Sequence, residues 1–281
     1  MTAPRKHVDP RGETSAFERL LGNIGMRGRH NPVARRIVSA ARHVIRGYDG
    51  AGEALLHIST NGEGWVLDRL GADLGVVFDV GANVGEWTAY ALGAGAREVH
   101  SFEISPTTSA ELTKAHGGDD RVHVNAFGLS NESGTITIRH FPDLPVLTTI
   151  TDFPWEIPSV ELDVPVRTGD EYMAEHGVDK IDLLKIDVEG AEDLVLRGFA
   201  NAFARGAIGA VQFEYGRFVV LTKYMLRDFY ADLTKWGFVT GKILPTAWSP
   251  VPFDLSMETL TDANYLAVHG SRTDLLDRLR S

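Results

Sequence analysis

The chain has 281 residues, of which 43% are hydrophobic and 23% are charged, a composition typical of a soluble globular protein. It contains no cysteine, which excludes disulfides, cysteine-ligated zinc and a cysteine nucleophile. The formal net charge of -10 argues against nucleic acid as a partner, because sequence-independent binding depends on a basic surface. No stretch approaches the ~20 apolar residues that span a membrane, so we predict no transmembrane segment.

Residues 1–50 differ in character from the rest of the chain. Ten arginine and lysine residues lie before residue 47, which indicates either a solvated helical face or contact with an acidic partner or membrane surface. The stretch "NPVARRIVSAARHVIRGY" (Asn31–Tyr48) predicts a helix, with Asn31 as its cap and Pro32 in its first position. We predict a basic helical extension over residues 1–50, which packs on the core or on a second subunit, and one domain over residues 51–281. The N-terminus lacks the apolar core of a secretory signal. The absence of cysteine fits the reducing cytoplasm, which is the expected location.

The second domain begins with a short predicted helix, "GEGWVLDRLG" (Gly62–Gly71), and then alternates apolar strands with helices. This alternation predicts an α/β fold, in which a seven-stranded, mostly parallel sheet is covered by helices on both faces. The predicted strands are Val76–Val80, Glu98–Phe102, Val122–Ala126, Asp182–Asp187, Ala210–Tyr215, Phe238–Ile243 and Tyr265–His269. The predicted helices are Glu86–Gly93, Thr107–His116, Gly169–His176, Ala191–Arg205 and Met225–Trp236.

The alternation is interrupted between residues 130 and 168. Here "GTITIRH" (Gly134–His140) and "ELDVPVRT" (Glu161–Thr168) alternate with period two, which predicts half-exposed antiparallel strands. The intervening segment, Phe141–Ser159, is long and rich in proline, and a loop of this kind is usually a lid or binding loop, or else mobile. We expect acceptor specificity to lie in this segment, in Leu244–Ser256 and in the N-terminal helices, with Phe153, Trp155 and Trp248 as walls.

A glycine-containing turn, "DVGANVG", follows the first strand of this domain. Ligands of open parallel sheets bind at the carboxyl ends of strands, and Gly81 and Gly85 would allow close approach of the backbone. A dinucleotide site requires glycine where this chain has Asn83 and Glu86, and the Glu86 carboxylate would repel a pyrophosphate. Asp79 suits a cationic amino group better than a phosphate. The turn therefore favours an amino-acid-bearing nucleoside, of which S-adenosylmethionine is the obvious case.

The ends of the next two strands supply further groups for such a cofactor. Glu103 ends the second strand, where a carboxylate can accept hydrogen bonds from both ribose hydroxyls. Ile104 follows it and is expected to contact the cofactor too. The third strand ends with Asn125, Ala126 and Phe127, which suit the edge and face of adenine.

These motifs together resemble the FkbM family of S-adenosylmethionine-dependent methyltransferases over residues 52–269. The stretches that carry the resemblance are "DVGANVG" (Asp79–Gly85), "FEISP" (Phe102–Pro106), "LLKIDVEGAEDLVLRG" (Leu183–Gly198), "VQFEYG" (Val211–Gly216) and "ANYLAVH" (Ala263–His269). The resemblance implies a Rossmann-like class I methyltransferase domain that methylates oxygen on a sugar, polyketide or similar small molecule. Asn83 stands where the general methyltransferase pattern has glycine, and this family commonly has asparagine there.

Carboxylates also end the fourth and fifth predicted strands. Asp187 and Glu189 lie in "KIDVEGAE", and Glu214 ends the next strand. These three are the predicted catalytic residues, since an alcohol acceptor must lose its proton either to a general base or through a divalent cation. Asp187 and Glu214 are the expected ligands if Mg²⁺ is used, and Asp187 is an alternative contact for the cofactor's amino group. Glu192 is expected to cap the following helix, and Lys185 to orient Asp187, to meet the cofactor's carboxylate or to form a structural ion pair.

The sequence leaves three functions open. The leading hypothesis is an S-adenosylmethionine-dependent O-methyltransferase acting on a small-molecule or saccharide acceptor: a sugar, an oligosaccharide, a glycolipid headgroup or a polyketide-type molecule. A nicotinamide-dependent oxidoreductase on a similar sheet is the enzyme alternative. The third is a non-catalytic scaffold that binds a nucleoside.

Overall fold

The computed structural model describes residues 31–48, 57–144, 148–151 and 156–280, which fall into two units that are described separately. The first contains the predicted helix, α1 (Pro32–Tyr48). Asn31 caps it, because its side-chain oxygen accepts a hydrogen bond of 2.9 Å from the backbone nitrogen of Val33. The domain boundary near residue 50 stays a prediction, since residues 49–56 lie outside the described part.

In the second unit, the described strands form two sheets. The strands are β1 (Val76–Val80), β2 (Glu98–Phe102), β3 (Val122–Asn125), β4 (Gly128–Leu129), β5 (Gly134–His140), β6 (Val160–Arg167), β7 (Ile181–Ile186), β8 (Ile208–Tyr215), β9 (Phe238–Leu244), β10 (Ala247–Pro250) and β11 (Ala263–His269). The large sheet has eight strands in the order β10-β9-β11-β8-β7-β1-β2-β3. Its strands from β8 to β3 are parallel, and β11 runs antiparallel to both β8 and β9.

Helices cover both faces of this sheet, so the predicted Rossmann-like α/β fold is confirmed. They are α2 (Glu63–Leu70), α3 (Glu86–Ala94), α4 (Pro106–His116), α5 (Gly169–His176), α6 (Glu192–Gly198), α7 (Ala200–Ala204), α8 (Val219–Thr222), α9 (Leu226–Lys235) and α10 (Thr273–Arg280). Strand alternation divides the core into two layers. Val77 of β1 packs in the layer that contains α2, α3 and α10, while Phe78 packs in the layer that contains α5, α6, α7 and α9.

The sheet has eight strands rather than the predicted seven, because β10 forms a hairpin with β9 at the sheet edge. This strand has only four residues and ends at Pro250, so its local pattern is weak. Trp248, predicted to wall the acceptor site, is instead a buried core residue whose indole nitrogen donates to the carbonyl oxygen of Leu266 at 3.0 Å.

The predicted single helix over Ala191–Arg205 is two helices, α6 and α7, separated at Phe199. The Asp170 carboxylate accepts hydrogen bonds from the backbone nitrogens of Asn201 and Ala202, at 2.8 and 2.9 Å, and so caps α7 from a distant part of the chain. The predicted interruption is present, since β5 and β6 pair antiparallel in a three-stranded sheet with β4. None of the described helices is both long and apolar enough to cross a membrane.

Candidate functional site

A cavity of about 550 Å³ lies at the carboxyl ends of β1, β2, β7 and β8. This is the position at which open α/β sheets bind ligands, and the volume is in the usual range for small-molecule sites. Seven of the sequence-predicted site residues line it: Gly81, Asn83, Glu103, Ile104, Asp187, Glu189 and Glu214.

The glycine turn after β1 forms one wall of this cavity. Gly81 has a positive φ of 81°, and an added Cβ would overlap the carbonyl oxygen of Asp187, so only glycine lets the ends of β1 and β7 approach. The turn is tied to the end of β2, because the backbone nitrogens of Gly81 and Ala82 donate to the Phe102 carbonyl oxygen. Gly85, predicted to contact the cofactor, ends the turn and packs against His116, outside the cavity lining.

Glu103 is held by this turn with its carboxylate at the cavity. Its two oxygens accept hydrogen bonds from the backbone nitrogens of Asn83 and Ser105, at 2.9 and 2.8 Å. Burial raises the pKa of Glu103, and these hydrogen bonds oppose the rise. The carboxylate is therefore preoriented beside the glycine turn, as a group that receives ribose hydroxyls would have to be.

Asp79 does not lie where the sequence predicted. It is fully buried and does not line the cavity. One oxygen lies 3.1 Å from the Nζ atom of Lys185, and the other accepts a hydrogen bond of 2.8 Å from the Thr88 hydroxyl. Asp79 is consequently a support for Lys185 rather than a group facing a ligand, because residues 79 and 185 are paired neighbours on β1 and β7.

Lys185 joins this buried carboxylate to the cavity. Its Nζ atom lies 3.4 Å from the Asp187 carboxylate and donates to the carbonyl oxygen of Gly81 at 3.0 Å. Burial alone would lower the pKa of Lys185, but the charges of Asp79 and Asp187 raise it above its ordinary value. Lys185 is therefore a structural cation that fixes both the turn and Asp187.

The three residues predicted to contact adenine lie outside the cavity lining. The side-chain nitrogen of Asn125 donates to the carbonyl oxygen of His123 at 2.9 Å and to the hydroxyl of Tyr172 at 3.2 Å. Ala126 is exposed, and Phe127 packs edge-on to the buried Phe102 ring. The polar and apolar groups at the end of β3 therefore contact other parts of the protein and do not face the cavity. The apolar surface of the cavity next to Glu103 comes from other residues, which include Ile104 and Leu129.

The predicted catalytic carboxylates converge at the ends of β7 and β8. Asp187, Glu189 and Glu214 each place a carboxylate oxygen within 4.8 Å of the others, and all three are half-buried. Burial and the charge of Asp187 raise the pKa of both Glu189 and Glu214 well above the ordinary value. Such a group can share a proton or bind a cation, because either relieves the repulsion among the carboxylates.

Glu192 is expected to cap the following helix, but its side chain instead binds the turn that precedes α6, and it too lines the cavity. It is buried, and one carboxylate oxygen accepts hydrogen bonds from the backbone nitrogens of Gly190 and Val188, at 3.1 and 3.3 Å. Burial raises its pKa to about 7.

Sequence reasoning missed several residues of the cavity wall. Glu63, at the start of α2, is 9% exposed, and burial raises its pKa. Its carboxylate accepts hydrogen bonds from the side chains of Gln212 and Asn61. Arg217 also lines the cavity and forms an ion pair of 2.6 Å with Asp262. Only the position of Arg217 directly after "VQFEYG" could have indicated its role, since nothing in the local pattern separates Glu63 from an ordinary helix start.

Two of the regions expected to govern acceptor specificity lie in the second unit, and one of them, Phe141–Ser159, reaches the cavity. Thr148, Thr149 and Ile150 line it, and the Thr149 hydroxyl donates to the carbonyl oxygen of Glu189 at 2.6 Å. Phe153 and Trp155 lie outside the described residues. No residue of Leu244–Ser256 lines the cavity, because this segment forms the β9–β10 hairpin and the loop after it.

Comparisons with known proteins give related sequences. The sequence model of a family described as the methyltransferase FkbM domain matches residues 79–239. The chain is 31% identical to the 31-O-demethyl-FK506 methyltransferase FkbM of Streptomyces tacrolimicus, over 45% of this chain and 60% of that protein. It is 33% identical to the hexuronic acid methyltransferase AglP of Haloferax volcanii, over 45% of this chain and 51% of that protein. The chain thus spans little more than half the length of these relatives.

A crystal structure of a methyltransferase FkbM from Methylobacillus flagellatus KT also matches. The superposition has a TM-score of 0.46 at 16% sequence identity, and covers 69% of this chain and 44% of that chain.

Proposed function

The chain belongs to the FkbM methyltransferase family, and we propose that it transfers a methyl group from S-adenosylmethionine to a hydroxyl oxygen of a sugar, oligosaccharide, glycolipid or polyketide-type acceptor. The observation that carries the proposal is one cavity lined both by a preoriented carboxylate beside a glycine turn and by three converging carboxylates. The first feature suits a nucleoside with a ribose, and the second suits an alcohol that must lose a proton. Their shared cavity would bring donor and acceptor together.

The residues present fit the cofactor. When bound, S-adenosylmethionine supplies an electrophilic methyl group on a positively charged sulfur. Glu103 would accept hydrogen bonds from the ribose hydroxyls, with Ile104 and Leu129 providing apolar surface for the base. For the amino group the cavity offers Asp187 and Glu63, since Asp79 is occupied by Lys185 and does not line the cavity.

We assign activation of the acceptor hydroxyl to Asp187, Glu189 and Glu214. A carboxylate with a raised pKa is a stronger base than an ordinary one and can take the hydroxyl proton directly. The same oxygens fit Mg²⁺, which prefers one or two carboxylates together with water and substrate oxygens. In that arrangement the carboxylates would hold the ion, and the ion would lower the pKa of the hydroxyl.

Calorimetric titration with S-adenosylhomocysteine tests the cofactor assignment. The wild-type protein should bind this product, and Glu103→Gln should weaken binding by about tenfold or more, since a charge-assisted hydrogen bond is lost. Glu161→Gln, which alters an exposed glutamate on β6, is the matched control and should bind as the wild type does. Binding of NAD in place of the sulfur nucleoside would contradict the proposal and favour an oxidoreductase.

Methyl transfer to a panel of sugar and polyketide alcohols, with and without a chelator, tests the activation step. Glu214→Gln should lower the rate of transfer while leaving binding of S-adenosylhomocysteine unchanged. Loss of turnover on chelation, restored by Mg²⁺, would favour the metal route, whereas unchanged turnover would favour direct proton transfer. Cofactor binding without transfer to any tested alcohol would favour a binding scaffold.

A further inference from the structure

A second group of side chains of the types that bind metal ions lies at the opposite end of β2 from the cavity. Glu98 begins β2, His100 follows on the same face, and His123 is the cross-strand neighbour of His100 on β3. The Oε1 atom of Glu98 lies 3.0 Å from the Nε2 atom of each histidine. Glu103 lies five residue steps along the chain from Glu98, a distance of roughly 16 Å in an extended strand, so this group is not part of the cavity.

We propose that Glu98, His100 and His123 bind one divalent transition-metal ion, for which Zn²⁺ is the best match. Two imidazole nitrogens and one carboxylate oxygen form a ligand set that suits zinc, with water in the fourth position. Ligand atoms around tetrahedral zinc lie about 3.3 Å apart, so the 3.0 Å separations need to open only slightly. The two rings are stacked with centroids 4.5 Å apart, and rotation of the half-exposed His123 ring would direct its lone pair to the ion.

The surroundings of His100 are those of a supported metal ligand. Its Nδ1 atom lies 2.7 Å from the hydroxyl of the buried Tyr172, which in turn accepts a hydrogen bond from Asn125. A partner on the second ring nitrogen holds the ring and sets which nitrogen is free to bind metal. The side chains of Glu98 and His123 are 40% and 45% exposed, which gives an ion access from solvent.

The ion would join β3 to the rest of the sheet. Because β3 is the edge strand, the described strands of the large sheet pair with it on one side only, through β2. Ligands from both β2 and β3 would hold β3 in register. Because the ion would bind the folded state and not the unfolded state, it would raise the stability of the protein by mass action.

Zinc titration of the full chain tests the proposal. Excess Mg²⁺ is included throughout, so that the hard carboxylates at the cavity are occupied. The wild-type protein should bind one Zn²⁺ per chain, and bound Co²⁺ should show the visible absorption of a tetrahedral site. Affinity for Zn²⁺ should fall by about 100-fold or more in His123→Ala, and by about tenfold in Tyr172→Phe, which removes only the supporting hydroxyl. The control His57→Ala, which removes another exposed histidine, should bind as the wild type does.

Thermal unfolding provides an independent readout. Zn²⁺ should raise the Tm of the wild type and of His57→Ala, but not that of His123→Ala. Equal zinc affinity in the wild type and His123→Ala, or binding with no effect on Tm, would overturn the proposal. S-adenosylhomocysteine binding should be the same in His123→Ala and the wild type, so the two proposals fail or succeed separately.

Discussion

Replacing Lys185 with methionine should destabilise the protein by about 3–5 kcal/mol, because it leaves a buried carboxylate without its counter-charge. Asp79 is fully buried, and Lys185 is its only ionic partner among the described residues. Methionine nearly matches lysine in length, so the change creates little empty space. Among the described residues, the Thr88 hydroxyl alone would remain as a hydrogen-bond partner of Asp79, and a neutral donor does not replace a positive charge.

Urea unfolding, followed by tryptophan fluorescence, measures this loss. The double variant Asp79→Asn/Lys185→Met removes both charges and should recover at least half of it, whereas the exposed control Lys180→Met should change stability little. A loss below about 1 kcal/mol at neutral pH, or a double variant no more stable than Lys185→Met, would refute the reasoning.

Three further predictions concern stability and are measured by the same unfolding assay. Gly81→Ala should lower the free energy of unfolding by about 1–3 kcal/mol, because residue 81 has a positive φ and the added Cβ would meet Asp187. It should also weaken S-adenosylhomocysteine binding, and binding equal to that of the wild type would contradict this prediction. The pKa of Glu192 is raised to about 7 from an ordinary value of 4.5, so the folded state holds a proton that the unfolded state has lost. The stability that this bound proton contributes should therefore fall as the pH rises from 4.5 to about 7. Glu192→Gln should make this decline in stability smaller. Thr168→Ala should lower the free energy of unfolding by about 1 kcal/mol, because the Thr168 hydroxyl caps α5 by accepting a hydrogen bond from the backbone nitrogen of Glu171. Thr168→Ser, which keeps a hydroxyl, should lose much less.

Several features of this protein follow from short stretches of its sequence. The bounds of β1, β2 and α5 match the predicted ones because apolar alternation, glycine turns and capping residues act within a few positions. The turn at Gly81 and the strand-end acids Glu103, Asp187 and Glu214 were also placed at the carboxyl edge of a parallel sheet. Such a fold collects the ends of its parallel strands at one edge, so the sequence alone is enough to group these residues.

The tertiary structure decided which of those groups face the cavity. Asp79 and Glu103 both lie at strand ends, yet only Glu103 reaches the cavity, because β1 lies beside β7 in a register that pairs Asp79 with Lys185. The end of β3 predicts an adenine contact for Asn125, but its side-chain nitrogen donates to the hydroxyl of Tyr172, which comes from a distant part of the chain. Side chains far apart in the chain meet only through strand order and register, which no short window of sequence encodes.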